Sequence, residues 1–95
     1  MTVRFSARAL RQLRSIHTHI AKDNPRAATE VIAHIEELCY GLDDFPDMGY
    51  RTDHGGTRVL IVTRYPYKIF YRVLKKAATT EVCILLVRHG AMQPT

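Results

Sequence analysis

The sequence predicts an α+β fold in which a short N-terminal strand and an antiparallel helical hairpin precede a three-strand antiparallel meander. Two observations lead to this prediction. Apolar residues recur at helical spacing through the first half of the chain, and strand-forming runs separated by short turns fill the second half. Because 95 residues fit a single domain, we expect residues 1–95 to share one core, with both helices packed on one face of the sheet.

The chain begins with a predicted strand at Thr2–Phe5, followed by an amphipathic helix. Ser6 offers a side-chain oxygen for the N-cap of this helix. Its apolar face comprises Leu10, Leu13, Ile16, His17 and Ile20. Its outer face carries Arg8, Arg11, Ser15 and Lys22, so we expect a basic surface there.

A second helix is predicted to begin immediately after the first. Asn24 can cap it, and Pro25 can be its first residue without the loss of a hydrogen bond. Its apolar arc comprises Ala28, Val31, Ile32, Ile35, Leu38, Cys39 and Leu42. Tyr40 lies opposite this arc, where an exposed aromatic ring indicates a contact surface. Two helices joined so closely form an antiparallel hairpin.

The second half of the chain is predicted to be a loop followed by three strands. Residues 45–49 (FPDMG) end the hairpin, and the loop continues through His54-Gly55-Gly56. The strands are expected at residues 58–64, 67–74 and 81–88, and the short connections between them favour a meander. We expect Tyr65, Tyr67, Phe70 and Tyr71 to pack in the core rather than to stack on nucleic-acid bases.

The net charge of +5 is distributed unevenly along the chain. Residues 23–53 contain eight of the nine acidic residues and only two basic ones, whereas both ends of the chain are strongly basic. This pattern favours an acidic partner or a nucleic acid at a face built from the two ends, although a solvated charged surface has the same composition.

Other features predict a soluble, cytoplasmic protein without a metal or a cofactor. The opening MTVRFSARALRQLR lacks the apolar run of a signal peptide, and the apolar stretch at residues 83–87 is too short to span a membrane. Cys39 and Cys83 lack metal-site spacing, so we expect buried thiols. His17 and His19 are two apart on a helix and point to different sides, which disfavours a shared metal.

Four segments carry a family resemblance that spans almost the whole chain. They are VRFSARALRQLRSIHTHIAKDNPRAA, GLDDFPDMGYR, RVLIVTRYPYKIFYRV and VCILLVRHGA. In their order and spacing they resemble the ParE/RelE superfamily of toxins from bacterial type II toxin-antitoxin systems, also called the plasmid stabilisation family. The resemblance implies a growth-arresting toxin that a cognate antitoxin silences, and binding to operator DNA only through the antitoxin complex.

The resemblance leaves two targets open, because RelE-like toxins cut messenger RNA on the ribosome and ParE-like toxins block DNA gyrase through protein contacts. RelE-like ribonucleases place lysines where this chain has Val59 and Ile61. Met92 replaces an arginine of the family ending HGAR, and the terminal tyrosine is missing. The sequence therefore favours a ParE-like gyrase inhibitor with no catalytic groups of its own.

The alternative hypothesis is a RelE-like, ribosome-dependent endoribonuclease. Its candidate catalytic residues would be Lys68, Arg72, Arg88 and His89. His89 would act as the acid or base, because its side chain ordinarily titrates near neutral pH, although a histidine after a final strand more often only caps that strand. A non-toxic RNA-binding domain is a weaker hypothesis, since basic charge is a weak indicator.

The resemblance also implies how the antitoxin binds. Antitoxins of this family contribute a helical, otherwise poorly ordered C-terminal segment that folds onto the toxin. For this basic chain we expect an acidic, amphipathic segment. The antitoxin-binding residues are expected to be Arg8, Arg11, Lys68 and Arg72.

Overall fold

A computed structural model describes residues 2–90 and confirms the predicted α+β architecture. The elements are β1 (Thr2–Phe5), α1 (Ala7–Ala21), α2 (Pro25–Gly41), β2 (Tyr50–Arg51), β3 (Thr57–Ile61), β4 (Tyr67–Lys75) and β5 (Thr80–His89). The strands form one mixed sheet in the order β1-β5-β4-β3-β2. Strand β1 is parallel to β5, and the other neighbours are antiparallel. Neither helix within residues 2–90 has the length and apolar character needed to cross a bilayer.

Both helices begin at the caps that the sequence predicts. The Ser6 hydroxyl oxygen accepts a hydrogen bond from the N–H of Ala9 at 3.0 Å, and the same hydroxyl donates to the carbonyl of Leu85 at 2.6 Å. Asn24 accepts from the N–H of Ala27 at 3.1 Å, with Pro25 in the first turn of α2. Ser6 therefore caps α1 and also ties the start of that helix to β5.

The core lies between the helical hairpin and one face of the sheet. On α2 the predicted arc is confirmed, since most of its residues are buried and Ile32 and Leu38 pack at the margin of the core. The sheet contributes Leu60, Tyr67, Ile69, Tyr71, Val82, Ile84 and Val87, and Val62, which follows β3, is also buried. Tyr67 and Tyr71 are thus core residues as predicted, whereas Phe70 lies on the other face, between buried neighbours in an alternating strand.

The apolar face of α1 is rotated slightly from the predicted one. Ala9 and Leu13 are buried, but Leu10 is 47% exposed and His17 is exposed. The prediction for Leu10 and His17 was wrong because these residues flank the buried stripe. They line a groove between the two helices with Ile32 instead.

The strands differ from the predicted ones mainly in an additional short strand and in the end of β3, and the other boundaries shift by at most one residue. Tyr50–Arg51 forms the short strand β2 inside the predicted loop, and it pairs with Val59 and Arg58 of β3. Strand β3 ends at Ile61 rather than at residue 64, because the chain then turns and the N–H of Val62 donates to the carbonyl of Tyr67 at 3.0 Å. A two-residue strand is too short to show an alternating pattern in the sequence.

A β-bulge in β5 explains an irregular burial pattern. Phe70 pairs with Leu86 while the next residue, Tyr71, pairs with Ile84, so Leu85 is an extra residue in β5. Without the bulge, Ile84 and Val87 would point to opposite faces, because they are three residues apart. With it, both residues are buried under the helices.

Candidate functional site

The face of the sheet that the helices do not cover, here called the open face, carries a continuous row of apolar side chains. The strand register pairs Tyr50 with Val59, Val59 with Phe70, and Phe70 with Leu86. These four residues form the apolar row, which crosses β2, β3, β4 and β5. Tyr50 is 71% exposed and the other three are half-buried, so the row is open to a partner.

Two cations lie beside the apolar row and form the cation pair. Lys68 of β4 and Arg88 of β5 are direct cross-strand partners. Like charges in that position destabilise a sheet, because their side chains share one face at close range. Neither residue has a salt bridge within the part of the chain that the structure describes. The cation pair is therefore an uncompensated positive charge at the edge of an apolar surface.

Arg72, a third predicted site residue, also lies on the open face but is already engaged. Its guanidinium donates to the carbonyl of Gly55 at 3.1 Å and to the hydroxyl of Thr57 at 3.4 Å. These bonds hold the loop between β2 and β3 against the sheet. Arg72 is thus a structural contact for that loop in this structure.

The loop that Arg72 holds forms one wall of a groove of about 570 Å³ on the open face. Phe70, Leu85 and Leu86 contribute its apolar lining. Its remaining lining residues are Arg51, Thr52, Asp53, His54, Thr57 and Arg88. The groove thus combines an apolar lining with charged and polar side chains, which suits a segment of another protein.

His89 lies on the opposite side of the sheet from the cation pair. It pairs with buried Tyr67, and the two rings meet edge to face with centroids 5.3 Å apart. A groove of about 400 Å³ runs beside it and is lined by Arg8, Gln12, Ser15, Ile16, His19, Tyr67, Val87, Arg88 and His89. The candidate catalytic residues are therefore divided, with Lys68, Arg72 and Arg88 in open-face register positions and His89 in a helix-side one.

The expected antitoxin-binding residues also fall on two surfaces. Arg8 and Arg11 are exposed on α1, on the helix side, whereas Lys68 and Arg72 belong to the open face. Among residues 2–90, Arg88 alone borders both the groove beside α1 and the groove on the open face. A partner segment that touches all four expected residues must pass around the end of β5.

The loop before β2 is anchored by contacts that the sequence analysis did not find. The buried hydroxyl of Tyr71 donates to the carbonyl of Pro46 at 2.8 Å and accepts from the N–H of Gly49 at 2.8 Å. Burial raises the pKa of Tyr71, although the Gly49 hydrogen bond and the nearby Arg58 lower it in part. Arg58 donates to the carbonyl of Gly49 at 2.7 Å and pairs with Asp47 at 3.3 Å.

Gly49 is close to its neighbours because of this anchor. A Cβ atom at Gly49 would lie 2.7 Å from both the Tyr71 hydroxyl and the carbonyl oxygen of Val59. The only sequence signal for the anchor was the turn-forming composition of FPDMG. The anchored loop presents Phe45, 64% exposed, and Met48, 49% exposed, at the surface.

Several other predicted features have clear positions. Tyr40 is 56% exposed as expected, and its ring meets that of Phe5 edge to face with the ring centroids 5.7 Å apart.

Cys39 is fully buried, and burial raises the pKa of its thiol to about 12, with a smaller effect from Glu36. Cys83 is only partly buried, contrary to the expectation for it, because its side chain belongs to the open face. Met92 lies outside the described residues.

Residues 2–90 contain no cluster of three or more histidine, cysteine, aspartate or glutamate side chains that could hold a metal ion. The open face instead offers apolar contact, positive charge and backbone-anchored loops. These features fit recognition of a macromolecule better than binding of a small cofactor.

The chain is similar to known proteins over nearly its whole length. A family model described as ParE toxin of type II toxin-antitoxin system, parDE, matches residues 3–94. The protein Y4kP of Sinorhizobium fredii (strain NGR234), which is described as a candidate toxin, is 36% identical over 91 residues, or 96% of this chain and 90% of Y4kP.

Two solved structures resemble the fold. A chain from the chromosomal ParDE toxin-antitoxin system of P. aeruginosa matches with a TM-score of 0.79 and 24% identity, covering 94% of this chain and 95% of that one. A chain from the toxin-antitoxin complex RelBE2 of Mycobacterium tuberculosis matches with a TM-score of 0.61 and 30% identity, covering 93% of this chain and 95% of that one. The fold therefore occurs in proteins of toxin-antitoxin systems.

Proposed function

The chain belongs to the ParE toxin family of type II toxin-antitoxin systems, and from this premise we propose that it inhibits DNA gyrase through protein contacts. The apolar row is the observation that carries the proposal. Val59 lies within it, at a position where the resemblance to RelE-like ribonucleases would require a lysine. An apolar surface at that position supports binding of a protein rather than cleavage of RNA.

The distribution of titratable groups supports the same proposal. Cleavage of RNA through its own 2′-hydroxyl needs a group that accepts this proton and cations that stabilise charge on the same phosphate. The cation pair lies on the open face, whereas His89 packs against Tyr67 on the helix side. Arg88 also borders the groove beside α1 in which His89 lies, but Lys68 does not, so a phosphate held by both cations would lie on the open face, away from His89.

We further propose that a cognate antitoxin neutralises the protein by laying an acidic, amphipathic helix along α1. Arg8 and Arg11 are exposed there, and Arg8 borders the groove of about 400 Å³ beside β5, whose apolar lining includes Ile16 and Val87. Such a helix would gain from apolar contact and from opposite charge. To reach Lys68 or Arg72 as well, the segment would continue past Arg88 around the end of β5. Operator DNA would be bound only through this complex.

A ribosome-dependent endoribonuclease is the second candidate function. The cation pair favours it, since Lys68 and Arg88 could contact RNA phosphates. The resemblance to a chain of the RelBE2 complex at 30% identity also favours it. For this candidate the catalytic group would be a residue other than His89, and His54 lines the open-face groove together with Arg88.

Expression of the chain alone in bacteria tests the proposal in cells. We expect growth arrest with induction of a DNA-damage reporter and failed chromosome segregation. Co-expression of a short helical antitoxin encoded beside this gene should restore growth. The variant Ile35→Asp, which cannot form the core, is the control for non-specific toxicity. Growth arrest with cleavage of messenger RNA at the ribosomal A site, and without DNA damage, would reject gyrase as the target.

A further inference from the structure

The apolar row has a defined length and a direction across the strands. Four neighbouring strands at a spacing of about 4.8 Å give a row of about 14 Å. Two to three turns of an α-helix have the same length, at about 5.4 Å per turn. A helix that lies across the strands could therefore place apolar side chains along the row from Tyr50 to Leu86. This is the helix-in-groove mode of recognition.

The charges around the row indicate the chemistry of that helix. Arg4 and Lys76 each form a salt bridge with Glu81 at 3.7 Å. Arg72 donates a hydrogen bond to the carbonyl of Gly55 in the loop before β3. The cation pair, Lys68 and Arg88, has no ion pair within residues 2–90, and neither has Arg51, which lines the open-face groove together with Asp53. A partner with carboxylates at one edge of its apolar stripe would relieve this cross-strand repulsion.

Nucleic acid fits the open face less well than such a helix does. A single strand of RNA or DNA is held by a track of cations together with aromatic side chains that stack on successive bases. Here the middle of the row contains aliphatic Val59 and its far end aliphatic Leu86, and two of the nearby arginines are engaged elsewhere. The cation pair and Arg51 remain for phosphate contacts.

We infer that the open face is the surface that engages the inhibited enzyme, through an acidic, amphipathic helix of that enzyme. Its apolar side chains pack along the row of Tyr50, Val59, Phe70 and Leu86, and its carboxylates reach Lys68 and Arg88. This inference rests on the proposed inhibition of gyrase. It assigns the open face to the target and leaves the α1 side for the antitoxin.

The variant Lys68→Glu separates this role from a structural one. It replaces a cross-strand pair of like charges with an ion pair to Arg88, so the fold should be as stable as wild type or more stable. Tyr50→Ala removes a ring that is 71% exposed and should also leave the fold intact. Arg26→Glu is the matched control, because it makes the same charge change at an exposed position in the first turn of α2.

The test measures binding to purified gyrase subunits, to the antitoxin and to a single-stranded RNA, together with half-inhibition of supercoiling and thermal unfolding, for each variant. We expect Lys68→Glu and Tyr50→Ala each to weaken gyrase binding by about tenfold, because each removes a contact of the proposed interface, while Arg26→Glu binds as wild type does. Antitoxin binding should change less than threefold in both open-face variants.

Three results overturn the inference while the proposed function stands. Unchanged gyrase binding in both open-face variants places the target elsewhere on the protein. Loss of antitoxin binding with gyrase binding intact assigns the open face to the antitoxin, and loss of RNA binding alone assigns it to RNA. If wild-type protein itself fails to bind gyrase, the proposed function fails and the inference fails with it, which distinguishes that result from the other three.

Discussion

The hydroxyl of Tyr71 accepts a hydrogen bond from the backbone N–H of Gly49, at 2.8 Å. This bond joins the centre of the core to the loop that precedes β2, because Tyr71 is fully buried on β4. The position of β2 in turn sets the position of Tyr50, which is one end of the apolar row. The packing that stabilises the fold therefore also shapes the candidate docking surface.

Tyr71→Phe should destabilise the protein by about 1–3 kcal/mol, because the N–H of Gly49 and the carbonyl of Pro46 both lose a partner away from water. Chemical denaturation measures this difference directly. Tyr67→Phe is the matched control, since no protein acceptor is found for the Tyr67 hydroxyl among residues 2–90, and it should cost at most about 0.5 kcal/mol. Equal losses in the two variants would mean that the loop is not anchored through Tyr71.

The register of the helical hairpin predicts which substitutions unfold the domain. Leu13, 6% exposed, and Ile35, fully buried, face the sheet. Aspartate at either position would bury an unpaired charge and should cost several kcal/mol, a large share of the stability of so small a domain. Circular dichroism should show loss of cooperative unfolding. Arg11→Asp, on the exposed side of α1, should keep a cooperative transition, and its unfolding would contradict this helix orientation.

The buried thiol of Cys39 predicts a fall in stability at high pH. Burial raises its pKa from 9.0 to about 12. Since only the unfolded chain then loses this proton above pH 9, the contribution is fully present below pH 9 and is lost as the pH rises towards 12. We expect the free energy of unfolding to drop by about 1 kcal/mol between pH 8 and pH 10. Cys39→Ala should remove that part of the slope, whereas Cys83→Ala should retain it.

The antitoxin proposal predicts a kinetic effect of charge on α1. The double variant Arg8→Glu/Arg11→Glu should slow association with the antitoxin and reduce its salt dependence more than it alters dissociation, because exposed charges act mainly on encounter. Surface plasmon resonance at low and high salt measures both rates, with Arg26→Glu as the control. An unchanged association rate would place the antitoxin elsewhere, for example beside Tyr40.

The helical half of the fold could be predicted from the sequence because its signals are local. The caps at Ser6 and Asn24 and the arc of α2 depend only on spacing along the chain. The prediction that Leu10 is buried was wrong, because burial at the flank of a helix depends on the neighbouring helix. Strand β2 and the extra residue Leu85 could not be predicted, since both are defined by pairing with distant residues.

The candidate site was also predicted only in part, because some of its features depend on pairing between distant residues. The sequence analysis predicted that Lys68, Arg72, Arg88 and His89 lie on the meander or at its end, and the adjacent strands β4 and β5 carry them. Their faces depend on the register and on the bulge near Leu85, which determine that Lys68 meets Arg88 while His89 meets Tyr67. The apolar row depends on three separate strand pairings, so no local pattern in the sequence could indicate it.

Inhibition of gyrase supercoiling by the purified protein tests the central claim most directly. Titration into a reaction with relaxed plasmid, gyrase and ATP should give a dose-dependent loss of supercoiled product, which prior addition of the antitoxin abolishes. Ribosomes with bound messenger RNA, incubated with the same protein, should retain intact messages. Full supercoiling activity together with cleavage of messages at the ribosomal A site would contradict the account and identify the protein as a ribonuclease.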